Sequence, residues 1–248
     1  LAAGSLEVTV LGGAGRIGLP LALALASRGH RVTAVDEEGA ELAAARRWAL
    51  PFLEESGEEL MRRCATECPD RVRFTSELAA CRGSDVVVVT AGVPVDEHLN
   101  PDFAVLGAQV ESLRPFLQEG QTIVLRSAVS PGTSTRVLTM LRGLGVSLAF
   151  CGERLAEGTR SREIFEVPQI VSGSDARAVR RARELFAPLG IELVELDLLE
   201  AEVAQLFLNA WRYVAFGTAN QFYHIATSKG LDFGRIRAAI SHRYRRAA

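Results

Sequence analysis

The chain has 248 residues, 48% of them apolar, and a formal net charge of −2. That is enough to bury a core in one domain with an accessory piece, and too neutral to favour nucleic acid or an anionic membrane surface. No apolar run approaches the ~20 residues of a membrane span, and no signal peptide is visible.

The first element is a strand over residues 6–11 (LEVTVL), followed by the turn "GGAGRIG", a Leu/Ala-rich helix over Ile17–Arg28 that stops at Gly29, and a strand over 32–35 (VTAV). Gly13, Gly15 and Gly18 fit G-x-G-x-x-G, while Gly12, Gly15 and Gly18 fit G-x-x-G-x-x-G. In either spelling, a strand feeding a helix through a glycine turn points backbone N–H groups and the positive helix end at the turn, which suits a pyrophosphate. The second strand ends at Asp36, placed to accept from a ribose 2′-hydroxyl, and Glu37 and Glu38 would repel a 2′-phosphate. The expected cofactor is NAD rather than NADP, held by Gly13, Ala14, Gly15, Arg16, Ile17, Gly18 and Asp36.

Farther along, Cys64 and Cys68 read as reduced thiols on one helix, and with Cys81 and Cys151 they lack metal-ligand spacing, so no metal is expected. "DVVVVTA" (85–91) is a buried strand, 102–117 a helix, 121–128 a strand and "TSTRVLTMLRGLG" a helix. Strands over 146–150, 168–173 and 191–196 follow, with the helix "DARAVRRARELFAPLG" between the last two. Strands separated by helices of this length predict an α/β, Rossmann-like, doubly wound and mostly parallel sheet whose ligands bind beyond the C-terminal strand ends.

From Leu198 to about Ser228 runs a proline-free, largely apolar helix carrying Glu202, Gln205, Asn209, Arg212 and Asn220 at helical steps. This polar stripe either faces water or walls a cleft. A helix this long is expected to pack against a second copy of itself, which divides the chain into an NAD-binding domain over 1–197 and a helical dimerisation region over 198–248. The absence of an initiator Met and the plain end "SHRYRRAA" read as a piece of a longer chain, and the whole composition as a cytoplasmic protein.

Five segments together resemble the UDP-glucose/GDP-mannose dehydrogenase family of nucleotide-sugar 6-dehydrogenases: "GRIGLPLALALASRGHRVTAVD", "GVPVDEHLNPD", "LRSAVSPGT", "GERLAEG" and "EAEVAQLFLNAWRYVAFGTANQ". The wording "VDEHLNPD" with "VPQIVSG" is most similar to members acting on UDP-N-acetylhexosamines. The extended short-chain dehydrogenases, which share the G-x-x-G-x-x-G spelling, need a Tyr-x-x-x-Lys pair. Here the only lysine is Lys229, with Ile225 four residues before it.

The resemblance implies oxidation of a UDP-sugar primary alcohol to the uronic acid with NAD, in a cytoplasmic homodimer serving polysaccharide biosynthesis. It assigns Glu153 to ordering water for thioester hydrolysis and Asn209 to the oxyanion, and expects the nucleophilic cysteine in a G-x-C motif beyond Ala248. It adds Gly92, Val93, Pro94 and Ser127 to the cofactor contacts, and Arg154, Leu155, Glu157 and Arg212 to the sugar-nucleotide contacts. Four positions depart from the family pattern. Gln205 stands for its lysine, Ala128 for the threonine that holds the water, Val93 for a threonine of the cofactor loop, and Gly152 for the proline before Glu153. With Lys229 the only lysine, no neighbour is expected to replace the missing cation. A non-catalytic relative that keeps NAD and nucleotide-sugar binding is the alternative reading.

Overall fold

The computed structural model describes residues 4–90 and 103–242. Its strands are β1 (Glu7–Leu11), β2 (Arg31–Val35), β3 (Val72–Thr75), β4 (Val86–Val89), β5 (Thr122–Leu125), β6 (Ser147–Phe150), β7 (Gln169–Gly173) and β8 (Leu193–Glu195). They lie in the order 3-2-1-4-5-6-7-8, parallel throughout except that β7 runs antiparallel to β6. The order reverses between β1 and β4, which in a doubly wound sheet marks the crevice where ligands enter.

Alternate residues of each central strand point to opposite faces, and here both faces are covered. Val86, Val88 and Val124 join one core with Leu21, Ala24 and Leu25 of α1 (Gly18–Ser27) and Ala182 and Leu185 of α7 (Ala176–Phe186). Val87, Val89, Ile123 and Leu125 join the other with Leu106, Val110 and Leu113 of α4 (Phe103–Leu113) and Val137 of α5 (Thr133–Met140). That double burial is why "VVVV" and "TIVL" read as continuous apolar runs.

Helix α1 is apolar all round because it is covered twice. Leu19 and Leu23 face away from the sheet, into a third cluster with Leu42 of α2 (Ala40–Arg46) and Leu60, Met61 and Cys64 of α3 (Gly57–Glu67). Cys64 lies in α3 and Cys68 is its C-cap, while α2 and β3 have no pattern strong enough to stand out in the sequence. Three expected helices are shorter than their patterns, the 175–190 one giving way to a 3-10 turn at Ala187–Leu189. Pro115 turns the end of the 102–117 segment into a 3-10 turn at Arg114–Phe116, and Gly143 and Gly145, both at positive φ, follow the end of α5. After β6 comes the short helix α6 (Arg160–Glu163).

The chain forms two compact units, Leu1–Gln205 and Leu206–Ala248. Helix α8 (Leu198–Ser228) is continuous, as its proline-free pattern predicts. In the second unit, Gly230 at positive φ ends α8, and Asp232 caps α9 (Phe233–Ser241) by accepting from the Arg235 N–H at 3.1 Å. Phe222, Ile225, Ala226, Leu231, Phe233, Ile236 and Ile240 line an apolar cleft of about 200 Å³ there. Phe207, Trp211, Tyr213 and Phe216 are 68–81% exposed. No helix among the described residues is long and apolar enough to cross a membrane.

Candidate functional site

The glycine turn is set by close approach. Gly12 has φ +70°, which an L side chain rarely adopts, and a Cβ there would meet the Thr90 hydroxyl at 2.6 Å. A Cβ on Gly18 would lie 2.1 Å from the Gly12 carbonyl oxygen, and one on Gly13 2.7 Å from the backbone of Ala34. The first turn of α1 is thereby pressed against the end of β1. The Gly15 N–H donates to the Gly12 carbonyl at 3.1 Å, and the Leu19 N–H to the Gly15 carbonyl at 3.0 Å.

Asp36 at the end of β2 is tied into the same turn. One of its oxygens accepts from the Ala14 N–H at 2.8 Å and the other from the Glu37 N–H at 2.9 Å, so each keeps lone-pair capacity for a hydroxyl. Glu38 faces Arg46 at 2.6 Å, and the hydrogen bond from that guanidinium holds its carboxyl below the ordinary value. Beside this turn a cleft of about 300 Å³ is lined by Leu11, Gly12, Val35, Asp36, Glu37, Ser76, Leu78, Gln109 and Ser112. Apolar walls, carboxylates at one rim and backbone N–H groups in the adjoining turn are a donor and acceptor set that fits the adenosine and pyrophosphate of NAD.

A second cluster forms where β5 and β6 end. The Glu153 N–H donates to the Arg126 carbonyl at 2.9 Å, which ties the 151–160 loop to the segment holding Ser127 and Ala128. Ser127 is buried and Ala128 exposed. Arg160 Nε stands 3.1 Å from both carboxylate oxygens of Glu153, with the two side chains only 12% and 10% exposed. Its Nη1 is buried without a hydrogen-bond partner. An arginine thus stands beside the Glu153 carboxylate. The sequence gives no sign of this pair, because six residues of loop separate Glu153 from Arg160 at the start of α6.

Gln205 is 5% exposed, and its side-chain amide donates to the Glu153 backbone carbonyl. A Cβ on Gly152 would lie 2.7 Å from Gln205 Oε1, so the two departures from the family pattern at 152 and 205 fit one another. Arg126, fully buried, donates to the Cys151 carbonyl at 3.1 Å and to Gln169 Oε1 at 2.7 Å. Burial holds its pKa below the ordinary guanidinium value.

Of the sugar-nucleotide candidates, Leu155 is buried, Arg154 donates to the Pro168 carbonyl at 3.0 Å, and Glu157 makes an exposed pair with Arg16 of the glycine turn at 3.4 Å. In the second unit, Asn209 Oδ1 accepts from Arg212 Nη2 at 2.8 Å. Gly92, Val93 and Pro94 lie outside the described residues.

Glu202, on the same helical stripe as Gln205, is 1% exposed and accepts from the Gly132 N–H at 2.6 Å and the Ser134 N–H at 2.7 Å. It anchors the start of α5, so this part of the stripe faces protein. The three-residue step from Glu202 to Gln205 was the sequence signal for it.

All four cysteines are free and buried. Cys151 lies two residues from Glu153, but burial pushes its thiol up to about 12, and Cys64 and Cys81 are pushed up to about 12 and about 11 by burial as well. Such groups stay protonated at neutral pH and are poor nucleophiles. Among the described residues no group of His, Cys, Asp and Glu is arranged to hold a metal.

A profile of the UDP-glucose/GDP-mannose dehydrogenase family, NAD binding domain, matches residues 6–190. A UDP-N-acetyl-D-mannosamine dehydrogenase of Methanocaldococcus jannaschii is 27% identical over 89% of this chain and 52% of its own length. A UDP-glucose 6-dehydrogenase of Bacillus subtilis is 24% identical over 93% of this chain and 53% of its own. The chain thus spans about half the length of the curated relatives it matches. Among solved structures, the UDP-D-ManNAc dehydrogenase of Pyrococcus horikoshii superposes with TM-score 0.84 at 21% identity, covering 96% of this chain and 58% of that one. A ternary complex of the GDP-mannose dehydrogenase of Pseudomonas aeruginosa gives TM-score 0.84 at 22% identity, covering 96% and 57%. At these identities the superpositions establish the fold.

Proposed function

The chain belongs to the UDP-glucose/GDP-mannose dehydrogenase family, whose NAD-binding domain it carries, and from that premise we propose that it is the NAD-binding and dimerisation part of a cytoplasmic nucleotide-sugar 6-dehydrogenase acting on a UDP-sugar. The observation that carries the reading is the turn Gly12–Gly18 locked to Asp36 beside an apolar cleft. Residues 1–197 form the cofactor domain in this reading, and 198–248 the dimer region. The four buried free thiols support a reducing compartment.

When bound, NAD accepts hydride from the sugar's primary alcohol. The protein's own part is to hold and orient. Backbone N–H groups of the turn would hold the pyrophosphate, and Asp36 would accept from the ribose. By the resemblance, Ser127, Gly92, Val93 and Pro94 would add cofactor contacts. By the same resemblance, Glu153 and Ala128 would serve the water position, Gln205 and Asn209 the oxyanion, and Arg154, Leu155, Glu157 and Arg212 the sugar nucleotide. Gln205, whose amide already donates to the Glu153 backbone carbonyl, is a neutral group where the family has a lysine, and charge-assisted bonds are roughly twice as strong. The second reading, a relative that binds without turnover, is favoured by one observation: Glu153 is already engaged by Arg160.

NADH release from UDP-glucose and UDP-N-acetylhexosamines by the full-length protein, alongside calorimetric binding of NAD, separates the two. Turnover supports the enzyme, and NAD binding without turnover supports the binder. In an active protein Gln205→Lys, alone or with Ala128→Thr, is expected to raise turnover, since an oxyanion donor is typically worth about 10² to 10³ in rate. The dimer reading rests on Phe207, Trp211, Tyr213 and Phe216, large apolar side chains left exposed along α8, as at interfaces. Sedimentation at micromolar concentration should show a dimer, and a stable monomer would refute it.

A further inference from the structure

The cleft beside Asp36 contains one polar atom that the protein leaves unsatisfied. Gln109 lines this cleft from α4, and its Oε1 is buried with no hydrogen-bond partner. A buried amide oxygen without a donor costs free energy in the unliganded protein, so such an atom in a ligand cleft marks where a ligand donor belongs. The other side of the cleft is apolar, with Leu11, Val35 and Leu78 suited to the faces of a flat ring. Among the described residues no lining residue of the cleft is basic, and Asp36 and Glu37 occupy the rim where the ribose would lie.

We propose that Gln109 reads the purine base of the dinucleotide, its Oε1 accepting from the 6-amino group of adenine. This rests on the NAD reading above and adds a base-selecting residue to it. Adenine and hypoxanthine have the same shape and differ at the 6-position, an amino donor in one and a carbonyl acceptor in the other, and at N1, an acceptor in adenine and an N–H donor in hypoxanthine. In the adenine pose the Gln109 oxygen would face the 6-carbonyl of hypoxanthine, a second acceptor, so pairing would require turning the amide over or shifting the base toward its N1–H. Glutamine pairs with adenine in the same way in nucleic-acid recognition, through the 6-amino group and a neighbouring ring nitrogen. Ser112, one turn along α4, does not compete for that edge, because its hydroxyl donates to the Gln109 backbone carbonyl at 2.8 Å.

The test is calorimetric binding of NAD and of its deaminated analogue, nicotinamide hypoxanthine dinucleotide, to the full-length protein and two variants. The parent is expected to bind NAD on the order of tenfold more tightly than the analogue, the usual scale for leaving one buried polar group unpaired. Gln109→Leu should bring the ratio close to one. Gln109→Glu, which can only accept, should keep or widen it even where overall affinity falls. A parent that binds both dinucleotides equally, or a Gln109→Leu variant that retains the preference, overturns the proposal while the NAD reading stands. Binding of neither dinucleotide by the parent overturns both.

Discussion

The turn after β1 and the loop after β6 sit at the same edge of the sheet and are held by different physics. In the first, the determinants are absences: no side chain can be added at Gly12, Gly13 or Gly18 without meeting Thr90, Ala34 or the Gly12 carbonyl. In the second, the determinants are charged side chains taken out of water, Arg160 on Glu153 and Arg126 beneath them. A backbone-made site is written as a spacing of glycines, whereas a side-chain-made site is written only in which residues meet. The contrast predicts different failure modes. Filling space should damage the turn, and removing charge should damage the loop.

The largest effect is expected in the loop. Glu153→Gln or Arg160→Met alone strands a buried charge and should lower stability by about 3–5 kcal/mol in urea titration. The double variant should recover much of that loss. By contrast the pair Arg16–Glu157, whose side chains are 59% and 69% exposed, should be nearly silent when removed. If the exposed and buried pairs behave alike, the account of the loop is wrong.

Next comes Gly18→Ala. It should cost about 1–3 kcal/mol or more by overpacking against backbone, and should abolish NAD binding by calorimetry, since the helix start can no longer sit under the pyrophosphate. Retained affinity would mean that the turn tolerates opening. A similar loss, of about 1–3 kcal/mol, is expected for Gly152→Ala, whose Cβ would press on Gln205 Oε1. Here the clashing atom is a side chain, so combining it with Gln205→Ala should show a coupling of about 0.5 kcal/mol or more in a double-mutant cycle. Gly18 has no side chain opposite that could be trimmed to relieve it.

The smallest effect lies away from both regions, at Asp175. It caps α7 by accepting from the Ala178 N–H at 2.9 Å, and it also meets the Ser147 hydroxyl at 2.6 Å. Burial raises its pKa, but the hydrogen bonds from Ser147, Ala178 and Ser174 outweigh this and leave it below 3.8. A depressed carboxyl contributes stability above its unfolded pKa and loses it as pH falls through the folded one. Asp175→Ala should therefore cost about 1 kcal/mol at neutral pH. The difference from the parent should shrink as thermal unfolding is repeated below about pH 4.

Much of the architecture was legible in the chain. The alternation of apolar runs with helical stretches announced a doubly wound sheet, because a strand buried on both faces has to be apolar at every position. Gly12, Gly13, Gly15 and Gly18 followed by Asp36 announced the cofactor turn, and the absence of proline announced α8. Each of these signals is local, set by backbone freedom and periodicity within about thirty residues.

What the sequence did not disclose is long-range. That β7 turns antiparallel depends on where the 151–168 segment leaves β6. That Glu202 caps α5 depends on contacts 68–70 residues apart. Glu153 was marked by its motif, but its partner Arg160 carries no motif of its own, and Gln109 is one glutamine among several until the fold brings it to the cleft with its oxygen unpaired. Local patterns determine which elements form and which backbone turns are possible. Which charges and amides are buried together, and so need one another, is decided only when the elements pack and water is excluded between them.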